Sequence, residues 1–191
     1  EILLESLSDS HPTPLKELLT GIPLNAEMQR DLVDDLQNTT NAHVLRESNG
    51  NISVFSDTAW EKLLSKTQTT TDDYHSEFTL RKGIQKEELR SKLNLSSNLF
   101  PEFLRHLTAE NFVVVEDNVI RLPQYKISLS DEDIHEQELI LRMIGKDTFA
   151  SINDLPNNLE LIMYMADIEQ LIRINQEVVL SPPGYDKMAK S

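Results

Sequence analysis

Apolar and polar residues alternate on both sides of a turn signal at three places along the chain. The first, "HVLRESNGNISVFS", turns at Asn49-Gly50, a pair that readily takes the positive φ angles of a tight hairpin. The second, "FVVVEDNVIRLP", turns at Glu116 to Asn118, and the third, "LIRINQEVVLSP", near Asn175-Gln176. Each hairpin follows a helical pattern with one apolar stripe. In the first copy the stripe is Met28, Leu32, Val33 and Leu36, behind a cap at Asn25. In the second it is Leu99, Phe100, Phe103, Leu104 and Leu107, behind a cap at Ser97, with Pro101 tolerated because it falls in the first turn. In the third it is Leu159, Ile162, Met163 and Ala166, with Leu171 on a later turn.

A shorter helical segment lies upstream of each stripe. "TPLKELLTGIPL" places Thr13 as a cap and Pro14 at the first helical position; "QKEELRSKLNL" and "FASINDLPN" occupy the equivalent places. A longer opening helix comes earlier still. "SDTAWEKLLSKTQ" has Thr58 and Glu61 at capping-box spacing, and "SDEDIHEQELILRMIG" has Ser130 and Asp133 in a similar arrangement. In the first copy only "EILLESL" remains of this element. The repeating unit is helix, helix, helix, hairpin, about 60 residues long. The pattern predicts a mainly α chain with small β-hairpins, built as three tandem winged-helix (winged helix-turn-helix) domains over 1–65, 66–125 and 126–191. One copy is close to the lower size limit for a stable core, so neighbouring copies are expected to pack. No Gly/Ser-rich linker separates them, which predicts a semi-rigid series.

Composition narrows the function. The chain has 191 residues, 39% hydrophobic and 26% charged, as in ordinary folded proteins. It has no cysteine, which removes disulfides, thiolate nucleophiles and cysteine zinc sites. No apolar run approaches the roughly 18 to 20 residues needed to cross a bilayer, and "EILLESLSDS" carries no signal-sequence pattern. We therefore expect a cytoplasmic protein with no membrane partner. The chain starts in mid-pattern without Met, and is expected to be a piece of a longer protein.

The formal net charge is −14, which opposes a surface that wraps nucleic acid. Charge is uneven, however. Residues 1–65 hold 4 cations and 11 anions, residues 66–125 hold 8 and 9, and residues 126–191 hold 6 and 12. A winged helix that reads DNA presents cations and amides on its third helix. Here the first shows Glu27, Asp31, Asp34 and Asp35 against Arg30, and the third shows Glu160, Asp167 and Glu169 against Arg173. Such faces repel phosphates, so specific DNA binding is not expected.

The middle copy gathers Arg81, Lys82, Lys86, Arg90 and Lys92 within twelve residues. These are the candidate contacts for RNA phosphates. The alternative is a solvated face, because Glu87 and Glu88 sit at helical spacing from Lys86, Arg90 and Lys92; Arg81 and Lys82 precede that helix, with Glu77 the acid close to them in sequence. "LELIMYMADIEQLI" is apolar around more than one face. Leu161, Tyr164, Met165 and Ile168 lie off the first stripe and predict a second packing partner, either an adjacent module or another protein.

Catalytic and metal chemistry is not signalled. "DEDIHEQE" offers Asp131, Asp133, His135 and Glu136 to a hard cation, but acids in a first helical turn are favoured by the dipole without metal, and the turn glycine of a calcium loop is missing. No phosphate-binding glycine loop or nucleophile elbow is present. We expect no catalytic residue, metal or cofactor.

One stretch carries a family resemblance. "YH", then "FTLRKGIQKEELRSKLNL", then "FPEFLRHLTAENFVVVEDNVIRLPQYKISLSDED" resembles the carboxy-terminal region of bacterial selenocysteine-specific elongation factors. In that family a Tyr-His pair precedes a Gly-containing segment, a "KEELR" helix, a helix ending in an apolar wing, and an "RLP" exit. The matching residues are Tyr74 and His75, Gly83, Lys86 to Arg90, Phe112 to Val115, and Arg121 to Pro123. The likeness runs from Tyr74 to Asp133; in the flanking copies mainly the architecture agrees.

The resemblance implies an amino-terminal GTPase similar to elongation factor Tu, using GTP and Mg and carrying selenocysteinyl-tRNA. Four tandem winged helices follow, the last binding an mRNA hairpin that redirects a UGA codon. On this mapping the chain holds the first three, and the GTPase and the principal hairpin-binding module lie outside it. It would link those two ends as a monomer, with ribosome and mRNA as partners of the whole factor. The rival expectation is an acidic tandem winged-helix module that binds protein in a chromosome-condensation type complex.

Overall fold

The structure, a computed structural model, describes residues 6–22, 25–38, 42–145, 149–156 and 158–189. In chain order the elements begin with β1 (Thr13–Pro14), α1 (Leu15–Leu18), α2 (Ala26–Gln37), β2 (Ala42–Arg46) and β3 (Ile52–Ser56). There follow α3 (Asp57–Glu77), β4 (Ile84–Gln85), α4 (Lys86–Leu93), α5 (Phe100–Ala109), β5 (Val114–Glu116) and β6 (Val119–Arg121). The last group is α6 (Asp131–Ile144), β7 (Phe149–Ser151), a single 3₁₀ turn at Ile152–Asp154, α7 (Leu159–Asp167), β8 (Ile172–Arg173), β9 (Val178–Leu180) and α8 (Pro182–Ala189). The described residues are mainly helical with three small antiparallel sheets, an arrangement consistent with the winged helix. Among them no helix is long and apolar enough to cross a membrane.

The three sheets have one order: β1-β3-β2, β4-β6-β5 and β7-β9-β8. In each, a hairpin is joined at its second strand by a short strand from earlier in the chain. Thr13 pairs with Val54, Ile84 with Ile120, and Phe149 with Leu180. The added strand gives the outer backbone groups of the hairpin's second strand partners they would otherwise lack.

That strand changes the reading of the short upstream segments. Thr13 and Pro14 do not start a helix; they form β1, with Pro14 at φ −59°, ψ 133°, an extended conformation in which an edge strand accepts a missing N–H. In the third copy the segment makes only the 3₁₀ turn capped by Ser151, because Pro156 follows closely and disfavours helix in the residue before it. "EILLESL" lies largely outside the described residues, although Leu7 is buried.

The caps divide similarly. Asn25 accepts from the Glu27 and Met28 amides at 3.1 and 2.9 Å, and Ser130 with Asp133 forms a full capping box. Ahead of α5 the accepting hydroxyl is Ser96, not Ser97, taking the Leu99 amide at 3.1 Å. Ahead of α3 it is Ser56, not Thr58, taking the Ala59 amide at 3.1 Å. Ahead of α3 the shift follows from the helix already beginning at Asp57, directly after Ser56.

By compactness the chain divides into two units. The first comprises 1–76 and 83–125, the second 77–82 and 126–191. The first unit holds two of the sheets because its helices share a core. Trp60 of α3 packs edge-on to Phe55 of β3 and to Phe103 of α5, at 5.3 and 5.5 Å between ring centres. The turn of the first hairpin also reaches the segment before α5, with the Ser48 amide donating to the Asn98 carbonyl at 3.0 Å. Val33 and Leu36 of α2 are buried as expected, but Met28 is exposed. All five stripe residues around α5 are buried.

In the second unit the core gathers Ile140 and Ile144 of α6, Leu161, Ile162 and Met165 of α7, Leu171, Val179, and Leu80 from the 77–82 segment. The buried face of α7 is therefore rotated from the expected stripe: Leu161 and Met165 are inside, while Leu159 and Met163 are exposed. Period alone left two faces open on this nearly all-apolar helix, and contact with α6 selects one.

Gly83 explains its own presence. A Cβ there would lie 2.3 Å from the Ile120 carbonyl oxygen and 2.8 Å from its carbon, backbone atoms that cannot rotate away. Gly83→Ala is expected to destabilise the first unit by about 1–3 kcal/mol, the usual cost of overpacking. Urea unfolding checks this against Gly50→Ala, where open space surrounds the position and only its φ of +83° resists the methyl.

Candidate functional site

Each copy leaves a groove between its third helix and its hairpin. In the first, Leu15, Val33 and Ile52 line about 380 Å³, with Arg30, Arg46 and Asp34 also in the lining. In the second, Phe100, Pro101, Leu104 and Val115 line about 600 Å³, with Lys86, Arg105 and Glu87. In the third, Met163, Ala166, Leu171, Ile172 and Pro182 line about 550 Å³, with Asp167, Glu169 and Arg173. Two cations to one carboxylate in the first two grooves become one to two in the third.

The five clustered cations do not share one environment. Arg81 and Lys82 belong to the 77–82 segment of the second unit; Lys86, Arg90 and Lys92 stand on α4 in the first. The sequence placed no acid but Glu77 near Arg81 and Lys82, and the fold supplies two. Arg81 makes a two-pronged pair with Glu160, its Nε donating to Oε2 at 2.9 Å, and its guanidinium lies 4.0 Å over the Phe78 ring. Lys82 Nζ is 3.4 Å from Asp167 Oδ2. The Arg81 hydrogen bond holds the Glu160 carboxyl below its ordinary range.

On α4 the pairing is local. Arg90 Nε donates to Glu87 at 2.8 Å and its Nη1 to the Leu95 carbonyl at 2.9 Å. Lys92 lies 3.4 Å from Glu88, and Lys86 Nζ donates to the Asp117 carbonyl at 2.6 Å, tying α4 to the turn of the second hairpin. Exposed pairs of this kind contribute about 0–1 kcal/mol and exchange readily for another anion. On α5, Arg105 hydrogen-bonds Glu102, which holds that carboxyl low.

Of the apolar set assigned to a second packing partner, Leu161 and Met165 are fully buried in the core of their own unit, and Tyr164 packs partly buried against it. Ile168 is 40% exposed. In the acidic stretch, Asp133 serves the Ser130 cap and its carboxyl is held low by those bonds, while Glu136 accepts from Asn158 Nδ2 at 2.8 Å.

Two clusters escaped sequence reasoning. Trp60 is stacked on His43 at 4.6 Å and met edge-on by His106 at 5.0 Å. Each histidine also reaches a carboxylate at 3.1 Å, His43 to Asp57 and His106 to Glu110. The second cluster closes the middle copy. His75, 6% exposed near the end of α3, accepts the Leu122 amide on Nε2 at 3.3 Å. Its ring stacks on Tyr125 with centres 3.5 Å apart and planes within 8°. Accepting on Nε2 makes the ring neutral with its proton on Nδ1, and Nδ1 has no partner among the described residues. Burial is the main cause that lowers the His75 pKa below 6.5; Asp72 opposes the shift and Arg121 adds to it. The residues of the Tyr-His pair and the "RLP" exit thus meet in space.

The family model described as "Elongation factor SelB, winged helix" matches residues 69–122. A search of curated proteins gives no significant match. Among solved structures, the chain is similar to the "Crystal structure of bacterial selenocysteine-specific elongation factor EF-Sec", with 17% identity and a TM-score of 0.41. That similarity covers 83% of this chain and 25% of the other, so the chain spans about a quarter of the length of the structure it matches.

The neutral His75 makes folding pH-dependent. The unfolded chain takes up a proton near 6.5 and the folded chain only at lower pH, so stability is full above 6.5 and falls as pH drops toward the folded value. His75→Gln keeps an acceptor near the Nε2 position and removes the titration. In chemical unfolding between pH 8 and pH 5 it is expected to show a flatter acid limb than the parent. His75→Phe leaves the Leu122 amide unpaired and is expected to cost about 1–3 kcal/mol at all these pH values.

Proposed function

We propose that the chain, whose residues 69–122 match a winged helix of the elongation factor SelB family, is the connecting region of a selenocysteine-specific translation factor. In this reading it comprises three winged helices in series and joins a GTPase to the module that binds the mRNA hairpin. It performs no chemistry itself; GTP, Mg and selenocysteinyl-tRNA belong to the parts outside it. The ribosome and mRNA are partners of the whole factor, which acts in the cytoplasm.

The observation that carries the reading is the family match falling on the copy in which Tyr74-His75, Gly83 and Arg121 to Pro123 form one closed arrangement. The recurrence of one strand order in all three sheets supports the serial architecture. The exposed carboxylates of α2 and α7 argue against the first and third helices as phosphate readers. RNA contact then centres on α4 and the groove beside it, where Lys86, Arg90, Lys92 and Arg105 are held by exposed, exchangeable partners. Arg81 and Lys82 can join only by giving up Glu160 and Asp167, so they are the weaker candidates.

In the full-length factor, Lys86→Glu with Lys92→Glu is expected to lower ribosome association and selenocysteine insertion at UGA. The salt dependence of binding should fall by about 0.9 in slope for each duplex phosphate that is no longer neutralised, less for single strands. Unchanged association and readthrough, with an unchanged melting temperature, rules out RNA binding by these two lysines.

A further inference from the structure

We propose that the groove between α7 and the β8–β9 hairpin docks a cationic amphipathic helix from another protein. The site lies outside residues 69–122, which the family model matches, and its argument does not rest on the translation reading. Apart from Ile22 and Met28, the exposed large hydrophobic side chains among the described residues all lie within 126–191. On α7 these include Leu159 at 52% and Met163 at 45% exposure, one helical turn apart. Met163 continues into the groove of about 550 Å³, where Ala166, Leu171, Ile172 and Pro182 complete an apolar lining. A cavity of that volume accommodates apolar anchors of a bound ligand.

Charge selects the occupant. Asp167 and Glu169 line this groove against Arg173, whose Nε is already donated to the Asn175 carbonyl; Asp167 also meets Lys82 at 3.4 Å, in an exposed pair that a cation of the ligand can replace. The grooves of the first two copies have the opposite balance. Residues 126–191 carry twelve anions and six cations, so a polyanion is repelled there. A second copy of this acidic chain brings the same sign of charge. A polypeptide with cations flanking an apolar stripe satisfies both the lining and the carboxylates. Side-chain recognition favours a helix over an added strand, because β8 is two residues long and offers little edge to pair with.

The probe is a synthetic helical peptide of about 14 residues, with leucines at i, i+3, i+4 and i+7 and lysines elsewhere. Its twin carries glutamates in place of the lysines. Binding to the whole chain is read by fluorescence anisotropy at physiological salt. The lysine peptide is expected to bind and the glutamate twin not to. Met163→Ser, at an exposed position that leaves the core intact, and Asp167→Asn with Glu169→Gln are each expected to weaken binding about fivefold or more. Asp34→Asn with Asp35→Asn, which removes two carboxylates from α2, should leave affinity within about twofold.

An equal drop in affinity for both carboxylate pairs means general charge attraction and overturns the proposal, as does an unaffected Met163→Ser. Concentration-dependent dimerisation abolished by Met163→Ser makes a second copy the occupant and also overturns it. Competition by a single-stranded RNA oligonucleotide for the same groove does so too.

Discussion

A two- or three-residue strand that returns to the hairpin holds each group of elements together. Without it the hairpin is a two-stranded ribbon, marginal in water, and the short second helix has nothing to fix its start. With it, the chain leaving the first helix is pinned to the second hairpin strand, and the second helix begins at the next residue, as α1 does after Pro14 and α4 after Gln85. The geometry is demanding in the middle copy, where the crossing brings residue 83 against the Ile120 carbonyl and only glycine fits. His75 closes the same copy from the other side by accepting the Leu122 amide. One backbone crossing therefore depends on a missing side chain and one buried ring on a missing proton.

Shared side chains decide how the repeats combine. Trp60 meets aromatic residues of both the first and second groups of elements, so the two form one compact unit. Leu80 joins the core of the third group although it precedes α4 in sequence, and Arg81 and Lys82 bind Glu160 and Asp167 of α7 beside it. The segment 77–82 is thus structural in the second unit, with burial as its main source of stability, since partly exposed ion pairs add little.

The cations illustrate how tertiary contact alters function. In sequence they form one basic run. In space, two anchor a strap and three decorate α4, each with an acceptor within reach. Local pairing lowers the field available to a polyanion without abolishing it, because exposed pairs exchange. The acidic end of the chain follows the reverse logic: carboxylates that repel phosphate leave an apolar groove on α7 suited to a cationic polypeptide.

The hairpins and most helices were legible in the sequence because alternation and 3.6-residue spacing report directly on which side of the backbone is apolar. The turns at Asn49-Gly50 and near Asp117, the stripe of α5, and the caps at Asn25 and Ser130 are local features of this kind. The buried face of α7 was not legible, since a helix apolar on most sides has no preferred side until α6 packs on it. Nor were the returning strands, each too short to show a period, or the partners of Arg81, which lie 79 residues away. Sequence determines what neighbouring residues prefer along the backbone; contacts between residues distant in the chain decide which preference is buried, and that choice belongs to the tertiary structure.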